Sequence, residues 1–243
     1  MKRLLVAYTT LGYPSKERFL EFVSKAGALG VDYLEIGIPP SFAKYDGPAI
    51  RRSYEHVKKL GIDARETLRA AAKSAGAPII ALTYLDDYAN TLNRFAEELS
   101  GIGIEYLLLP DLLIDYLDSF QEVLETLEAS GVKPTLFVSS SMPDRLIEEV
   151  SKHSKPFLYL GIRPATGIPI PVDPVVVVRR VRKLVSNSLV VGFGLSVDDI
   201  ANAVNAGADG IAVGTAIIEA IERGGIEEAF KLLTRLRGVL DEL

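Results

Sequence analysis

The sequence has no cysteine, only two histidines, and no apolar run long enough to cross a bilayer. Without cysteine there is no disulfide framework, no thiolate nucleophile and no Cys-ligated metal. Two histidines, His56 and His153, are too few for a multi-histidine metal site. Both fall in segments of helical period and read as solvated. A secretory leader is not written at the start either: Met1-Lys2-Arg3 leads straight into residues 4–10, which read as a strand. The longest apolar runs, such as 175–178 and 189–191, fall far short of the roughly 20 residues of a membrane span. Nor is there an excess of positive charge: 27 Lys and Arg face 32 Asp and Glu, a net charge of −5. Phosphate backbones select basic patches, so nucleic acid is not an expected partner. A small anionic substrate is still allowed, because helix N-termini bind phosphate without net positive charge. The expectation is a cytoplasmic protein that touches neither membrane nor nucleic acid.

What is present is alternation. The chain has 243 residues, close to the roughly 250 of one (β/α)8 barrel. Nearly continuous apolar runs at 4–10, 33–38, 79–84, 106–110, 134–139, 157–161, 189–194 and 210–214 read as strands. Helical patterns lie between them at 15–29, 64–74, 88–99, 114–129, 144–152, 174–185, 197–206, 215–221 and 226–240. Apolar strands each followed by an amphipathic helix mark a buried parallel sheet. Eight units with no break in composition favour a closed α/β TIM barrel, one domain over residues 1–243, above a doubly wound sheet. Gly30, Gly131 and Gly207 stand where left-handed helix ends are expected. Long connections at 39–48 and 163–174 follow strand C-termini, the face on which barrels of this kind carry their chemistry.

Four constellations fall on that face. Glu35 is a carboxylate inside an apolar strand. If Tyr33 and Gly37 share its side, it points into the barrel near the mouth. Such a carboxyl either finds partners or has its pKa raised, and a raised pKa suits general acid–base work. A structural carboxylate bonded to a neighbouring strand fits the position equally well. Asp46-Gly47-Pro48 follows eleven residues later. By itself it reads as a turn or helix cap, yet two carboxylates on one face can divide acid–base and charge-stabilising roles. Gly192-Phe193-Gly194 and Gly214-Thr215 end the seventh and eighth strands, the usual phosphate seat of this fold. Glycines there let the backbone approach an anion, although they also serve tight turns. Tyr8, Tyr84, Tyr159 and Phe193 lie near strand ends, where aromatic residues are ordinary core or the wall of an aromatic substrate pocket.

Taken together these residues resemble the tryptophan synthase alpha subunit. Glu35-Ile36-Gly37-Ile38-Pro39 with Tyr45-Asp46-Gly47-Pro48 is similar to the family's catalytic strand and loop, at the same separation. Tyr8-Thr9-Thr10-Leu11-Gly12-Tyr13-Pro14 resembles its first strand, and Leu82-Thr83-Tyr84 its third. Ala165-Thr166-Gly167 is similar to its sixth loop, and the two glycine segments to its phosphate-binding strand ends. The resemblance implies cleavage of indole-3-glycerol phosphate with Glu35 and Asp46 as the catalytic pair. It also implies an indole pocket of Tyr8, Leu82, Tyr84, Tyr159, Thr166, Gly167 and Phe193, and phosphate on Gly194, Gly214 and Thr215. No metal or organic cofactor is implied, and a tryptophan synthase beta subunit is the implied partner in a heteromeric complex. Four departures are visible, one of them a short, proline-rich sixth loop. Met1 lies just before the first strand, where family members often carry an extra helix closing the barrel floor. The second loop reads Ser41-Phe42-Ala43-Lys44-Tyr45, and Asp111-Leu112-Leu113 lacks the family's proline. Two other readings stay open: a different phosphate-handling barrel, an isomerase or prenyltransferase, and a diverged subunit that mainly activates a partner.

Overall fold

The computed structural model describes residues 2–162, 173–192 and 197–243. Its strands are β1 (Leu4–Thr10), β2 (Tyr33–Gly37), β3 (Ile79–Leu82), β4 (Tyr106–Leu108), β5 (Lys133–Thr135), β6 (Phe137–Ser139), β7 (Leu158–Gly161), β8 (Leu189–Gly192) and β9 (Gly210–Val213). All pairings are parallel, in the order β5-β4-β3-β2-β1-β9-β8-β7-β6. This is the expected barrel. β5 and β6 are the two halves of its fifth strand, parted at Leu136: the first half pairs with β4 and the second with β7. The break carries hydrogen bonds of its own. Ser154 Oγ accepts from the Leu136 amide, and the Leu136 carbonyl accepts from the Tyr159 amide.

The helices wrap the outside: α1 (Lys16–Ala26), α2 (Pro48–Leu60), α3 (Ala64–Ser74), α4 (Leu92–Gly101), α5 (Leu112–Asp115), α6 (Phe120–Ala129), α7 (Asp144–Ser151), α8 (Pro174–Arg182), α9 (Val197–Asn205), α10 (Thr215–Gly224) and α11 (Ile226–Asp241). The sequence reading leaves one helix after β2 without bounds. The stretch ahead of α3 is itself helical, with Pro48 in its first turn and Gly61 ending it at φ +63°. Gly30, Gly131 and Gly207 all take positive φ, as their places after helices imply.

Alternation along each strand separates two cores. Outward side chains pack beneath the helices in a large aliphatic layer. Inward ones, among them Val6, Ile80, Leu82, Leu108, Phe157, Tyr159 and Val190, fill the barrel, with Tyr33 against them. Near the mouth the rings of Tyr8, Phe137 and Tyr159 lean across Gly37, Gly161 and Gly192 on adjacent strands. A Cβ at those glycines would sit 2.3 Å from the Tyr8 hydroxyl, 2.3 Å from the Phe137 ring and 2.4 Å from the Tyr159 hydroxyl, so only glycine leaves these side chains their room. The opposite end is closed by Arg237 of α11. Its Nη1 donates to the Arg3 carbonyl at 2.8 Å and lies 3.4 Å from Asp32, whose carboxylate also accepts from the Leu5 amide. Among the described residues, no helix is long and apolar enough to cross a membrane.

Candidate active site

Glu35 sits near the C-terminal end of β2, in register with Tyr8 of β1 and Ile80 of β3. These neighbours leave it 3% exposed, and its Oε2 is buried without a hydrogen-bond partner. The alternative of a structural carboxylate bonded across to a neighbouring strand is not what this oxygen does. Burial, and then the charge of Asp46, push the Glu35 carboxyl up to about 8. At neutral pH it is mostly a neutral acid, one step from being a base.

Asp46 ends the loop after β2 and is 6% exposed. Burial pushes its carboxyl up to about 6. A hydrogen bond from Tyr84, the charge of Arg51 and a hydrogen bond from Tyr54 work against that rise. Tyr84 Oη donates to Asp46 Oδ2 at 2.9 Å and accepts from the Tyr45 amide at 3.0 Å. The two carboxyls therefore differ by environment: Glu35 has nothing to hold its charge, while Asp46 has donors. Asp46 ionises first, and its charge then helps keep Glu35 neutral.

Both face a narrow cavity of about 60 Å3 at the barrel mouth, walled by Tyr8, Leu82, Tyr84 and Tyr159 and bounded on one side by Gly214 and Thr215. Six of the residues picked from the sequence as catalytic or aromatic-pocket groups thus meet in one place, together with the two from the eighth strand end. Gly214 precedes the first turn of α10, where amide groups begin a helix. Thr166, Gly167, Phe193 and Gly194 lie outside the described residues. A larger hollow of about 460 Å3 lies on the flank between α3 and α4, lined by Leu68, Phe95, Arg65 and Arg94. It holds neither member of the carboxylate pair.

Three features escaped the sequence reading. Ile50 and Pro110 complete the cavity wall. Tyr54, on α2, reaches Asp46 and accepts a 2.9 Å hydrogen bond from Tyr8. The signal that finds it is helical spacing: Ile50, Ser53, Tyr54 and Val57 form the buried face of α2. The third is Lys44, which pins the second loop to its neighbours. Its Nζ lies 2.7 Å from Asp86, 3.3 Å from Asp111 and 2.5 Å from Asp115. Burial pulls the lysine pKa down, but the hydrogen bonds of Asp115 and Asp86 and the charge of Asp111 outweigh it, and the net shift is upward. Asp111 in turn accepts from the Leu85 and Asp86 amides, and Tyr45 donates to Asp115 at 2.8 Å. Asp46, next along the chain, is held from both sides. His56 is exposed, bonded to the Pro14 carbonyl at 2.9 Å, and has no part in the cavity.

The family model described as "Tryptophan synthase alpha chain" matches residues 1–240. The tryptophan synthase alpha chain of Sulfurisphaera tokodaii is 50% identical over 243 residues, covering 100% of this chain and 99% of that one. That of Saccharolobus solfataricus is 48% identical over 243 residues, covering 100% and 98%. Among solved structures, a variant of the tryptophan synthase alpha-subunit from Pyrococcus furiosus superposes with a TM-score of 0.83 at 25% identity, each chain covered in full.

Proposed function

Because the chain belongs to the tryptophan synthase alpha chain family, we propose that the cavity between Glu35 and Asp46 is where it performs the family's reaction. That reaction is the retro-aldol cleavage of indole-3-glycerol phosphate to indole and glyceraldehyde 3-phosphate, a carbon–carbon lyase step of tryptophan biosynthesis. The observation that carries the assignment is the buried Glu35 carboxyl, its Oε2 unpartnered, facing the same space as a donor-held Asp46.

The chemistry asks for two groups with opposite preferences. Protonation at C3 of the indole loads positive charge onto N1. Asp46, ionised and fixed by Tyr84, is buried, and there a counter-charge is worth far more than in water. Glu35, neutral at the start, gives its proton to C3. As a carboxylate it then takes the proton of the side-chain hydroxyl while the bond from C3 to the glycerol carbon breaks. The electron pair of that bond returns to the indole ring, the hydroxyl carbon becomes the aldehyde, and Glu35 ends protonated as it began. Tyr8, Leu82, Tyr84 and Tyr159 pack the indole. The first amides of α10 at Gly214 and Thr215 suit the phosphate. Thr166, Gly167, Phe193 and Gly194 are proposed to complete the two subsites. The product indole passes to a beta subunit. Phe42, Ile114 and Leu117 support that partner, since they expose large apolar side chains on the segments that Lys44 ties together. A phosphorylated substrate does not cross a membrane unaided, which argues for work in the cytoplasm.

Two measurements test this reading. The rate is required to fall below about pH 6, as Asp46 takes up a proton, and above about pH 8, as Glu35 loses one. A bell-shaped profile of kcat/KM for indole release, with its top near neutrality, is therefore expected; a flat profile across both limbs would sink the assignment. Lys44→Met leaves Asp86, Asp111 and Asp115 without their shared cation and frees the loop before Asp46. Misplacement of a catalytic group by about 1 Å costs up to about a hundredfold, so a loss of about tenfold in kcat/KM is expected. Unchanged kinetics would show that the clamp does not position Asp46.

A further inference from the structure

The hollow on the flank between α3 and α4 reaches down to the aliphatic layer of the fold. Leu11, Ile38, Leu68 and Leu99, all buried, form its floor. Above them Tyr88, Phe95 and Ile102 pack against the core and yet stay half-buried. The rings of Tyr88 and Phe95 stack, with centroids 4.0 Å apart and planes inclined by 22°. At about 460 Å3 the space matches the size of small-molecule pockets, roughly 300–1,000 Å3.

Two helix faces supply its rim. On α3, Arg65 and Arg69 stand one turn apart, with Leu68 on the same face. On α4, Arg94 and Glu98 stand one turn apart, beside Phe95 and Leu99. Three guanidiniums therefore face one carboxylate, in a chain whose net charge is −5. That carboxylate is shared: Glu98 Oε1 lies 3.1 Å from Arg65 Nη2 and 3.5 Å from Arg94 Nε. Arg69 has no acidic partner among the described residues. Like charges one turn apart on a helix repel and weaken it. Nothing within the hollow offsets that repulsion at Arg69, and a bound anion would.

We propose that this hollow is a second small-molecule site, which takes an organic anion with a flat apolar body, of the class of aromatic carboxylates. The body lies against Tyr88, Phe95 and Ile102, and its entry removes apolar surface on both sides from water. The carboxylate meets the rim, where planar guanidiniums suit a two-point pairing with it. Arg69 is free for that pairing, whereas Glu98 competes for Arg65 and Arg94. Affinity is therefore set by Arg69 in one direction and by Glu98 in the other. The site shares no lining residue with the cavity of Glu35 and Asp46. It stands whether or not that cavity performs the cleavage.

The probe is 2-naphthoate, with the uncharged 2-naphthamide as a control of nearly the same shape. Binding is followed in methyl spectra of the isoleucine-labelled full chain, with the Ile102 signal assigned from Ile102→Val. Naphthoate is expected to move the Ile102 methyl and to saturate with a Kd of about 1 mM, from the affinity such ligands gain per atom. The amide is expected to bind about tenfold more weakly, the sum of a few exposed charge pairs, and added salt narrows the difference. Arg69→Ala weakens naphthoate about threefold and Glu98→Gln tightens it about threefold, while neither moves the amide. Both side chains reach solvent, so neither variant disturbs the core. A general loosening of the fold does not produce opposite signs.

Equal affinity for acid and amide, or changes of the same sign in the two variants, would leave a bare apolar groove and overturn the anion site. An Ile102 methyl unmoved at the solubility limit of naphthoate overturns it too. So does naphthoate that competes with indole-3-glycerol phosphate while Ile102 stays still, since the probe then sits in the catalytic cavity.

Discussion

Glu35→Gln is expected to lower indole release from indole-3-glycerol phosphate by at least about a thousandfold. A positioned acid or base contributes about a hundredfold to ten-thousandfold, and Glu35 is assigned both duties in one turnover. Gln has nearly the same shape and fills the same buried place on β2, so Tyr8, Tyr84 and Tyr159 keep their positions and substrate binding is largely retained. The loss therefore belongs in kcat, with KM little changed. Single-turnover assays of the folded variant, alone and with a beta subunit, measure it directly. Turnover within tenfold of wild type would mean that another group moves the proton at C3.

The same substitution is expected to stabilise the fold at alkaline pH. In the unfolded chain Glu35 loses its proton near 4.5, but in the folded protein it holds it to about 8. Between those values the folded state carries one more proton than the unfolded state. Stability therefore falls as pH rises, by roughly 5 kcal/mol across the whole window. Below pH 4.5 the term is absent, and above 8 it is at its full cost. Gln cannot ionise and escapes it. Urea midpoints of the variant and wild type should coincide near pH 4 and separate steadily toward pH 8.5, with the variant the more stable. Parallel curves would mean that the Glu35 carboxyl is not held neutral by the fold. A group that is costly to the structure and decisive for the rate marks where stability has been spent on chemistry.

Much of this was legible before any coordinates. Apolar runs locate all eight barrel strands because a strand buried on both faces needs continuous aliphatic residues, and the glycines at 30, 131 and 207 mark helix ends. Glu35 stands out as the one carboxylate among them. Strand five hid its break at Leu136, because a one-residue interruption leaves hydrophobicity unchanged while redirecting the hydrogen bonds. The helix Pro48–Leu60 was read only in part, from the cap at Pro48 and the helical period around His56, because Ser53 and Tyr54 on its buried face interrupt the apolar stripe that would give its bounds. Lys44 and Tyr54 were invisible for a different reason. Their partners lie on other elements, at Asp86, Asp111, Asp115 and Tyr8, and no local pattern announces a contact across the barrel mouth.

The closure of the barrel also has a consequence during synthesis. β1 leaves the ribosome well before β9, yet one of its edges pairs with that strand, Leu4 opposite Gly210. At about 5–20 residues per second, that edge waits on the order of ten to forty seconds for its partner. Through this interval the nascent chain presents an open row of backbone donors and acceptors beside the apolar side chains of Leu5 and Val6. The interval leaves that edge open to chaperone capture and to premature pairing with a neighbouring nascent chain alike. Slowing translation after β8 would lengthen the exposure without altering a single contact in the finished molecule.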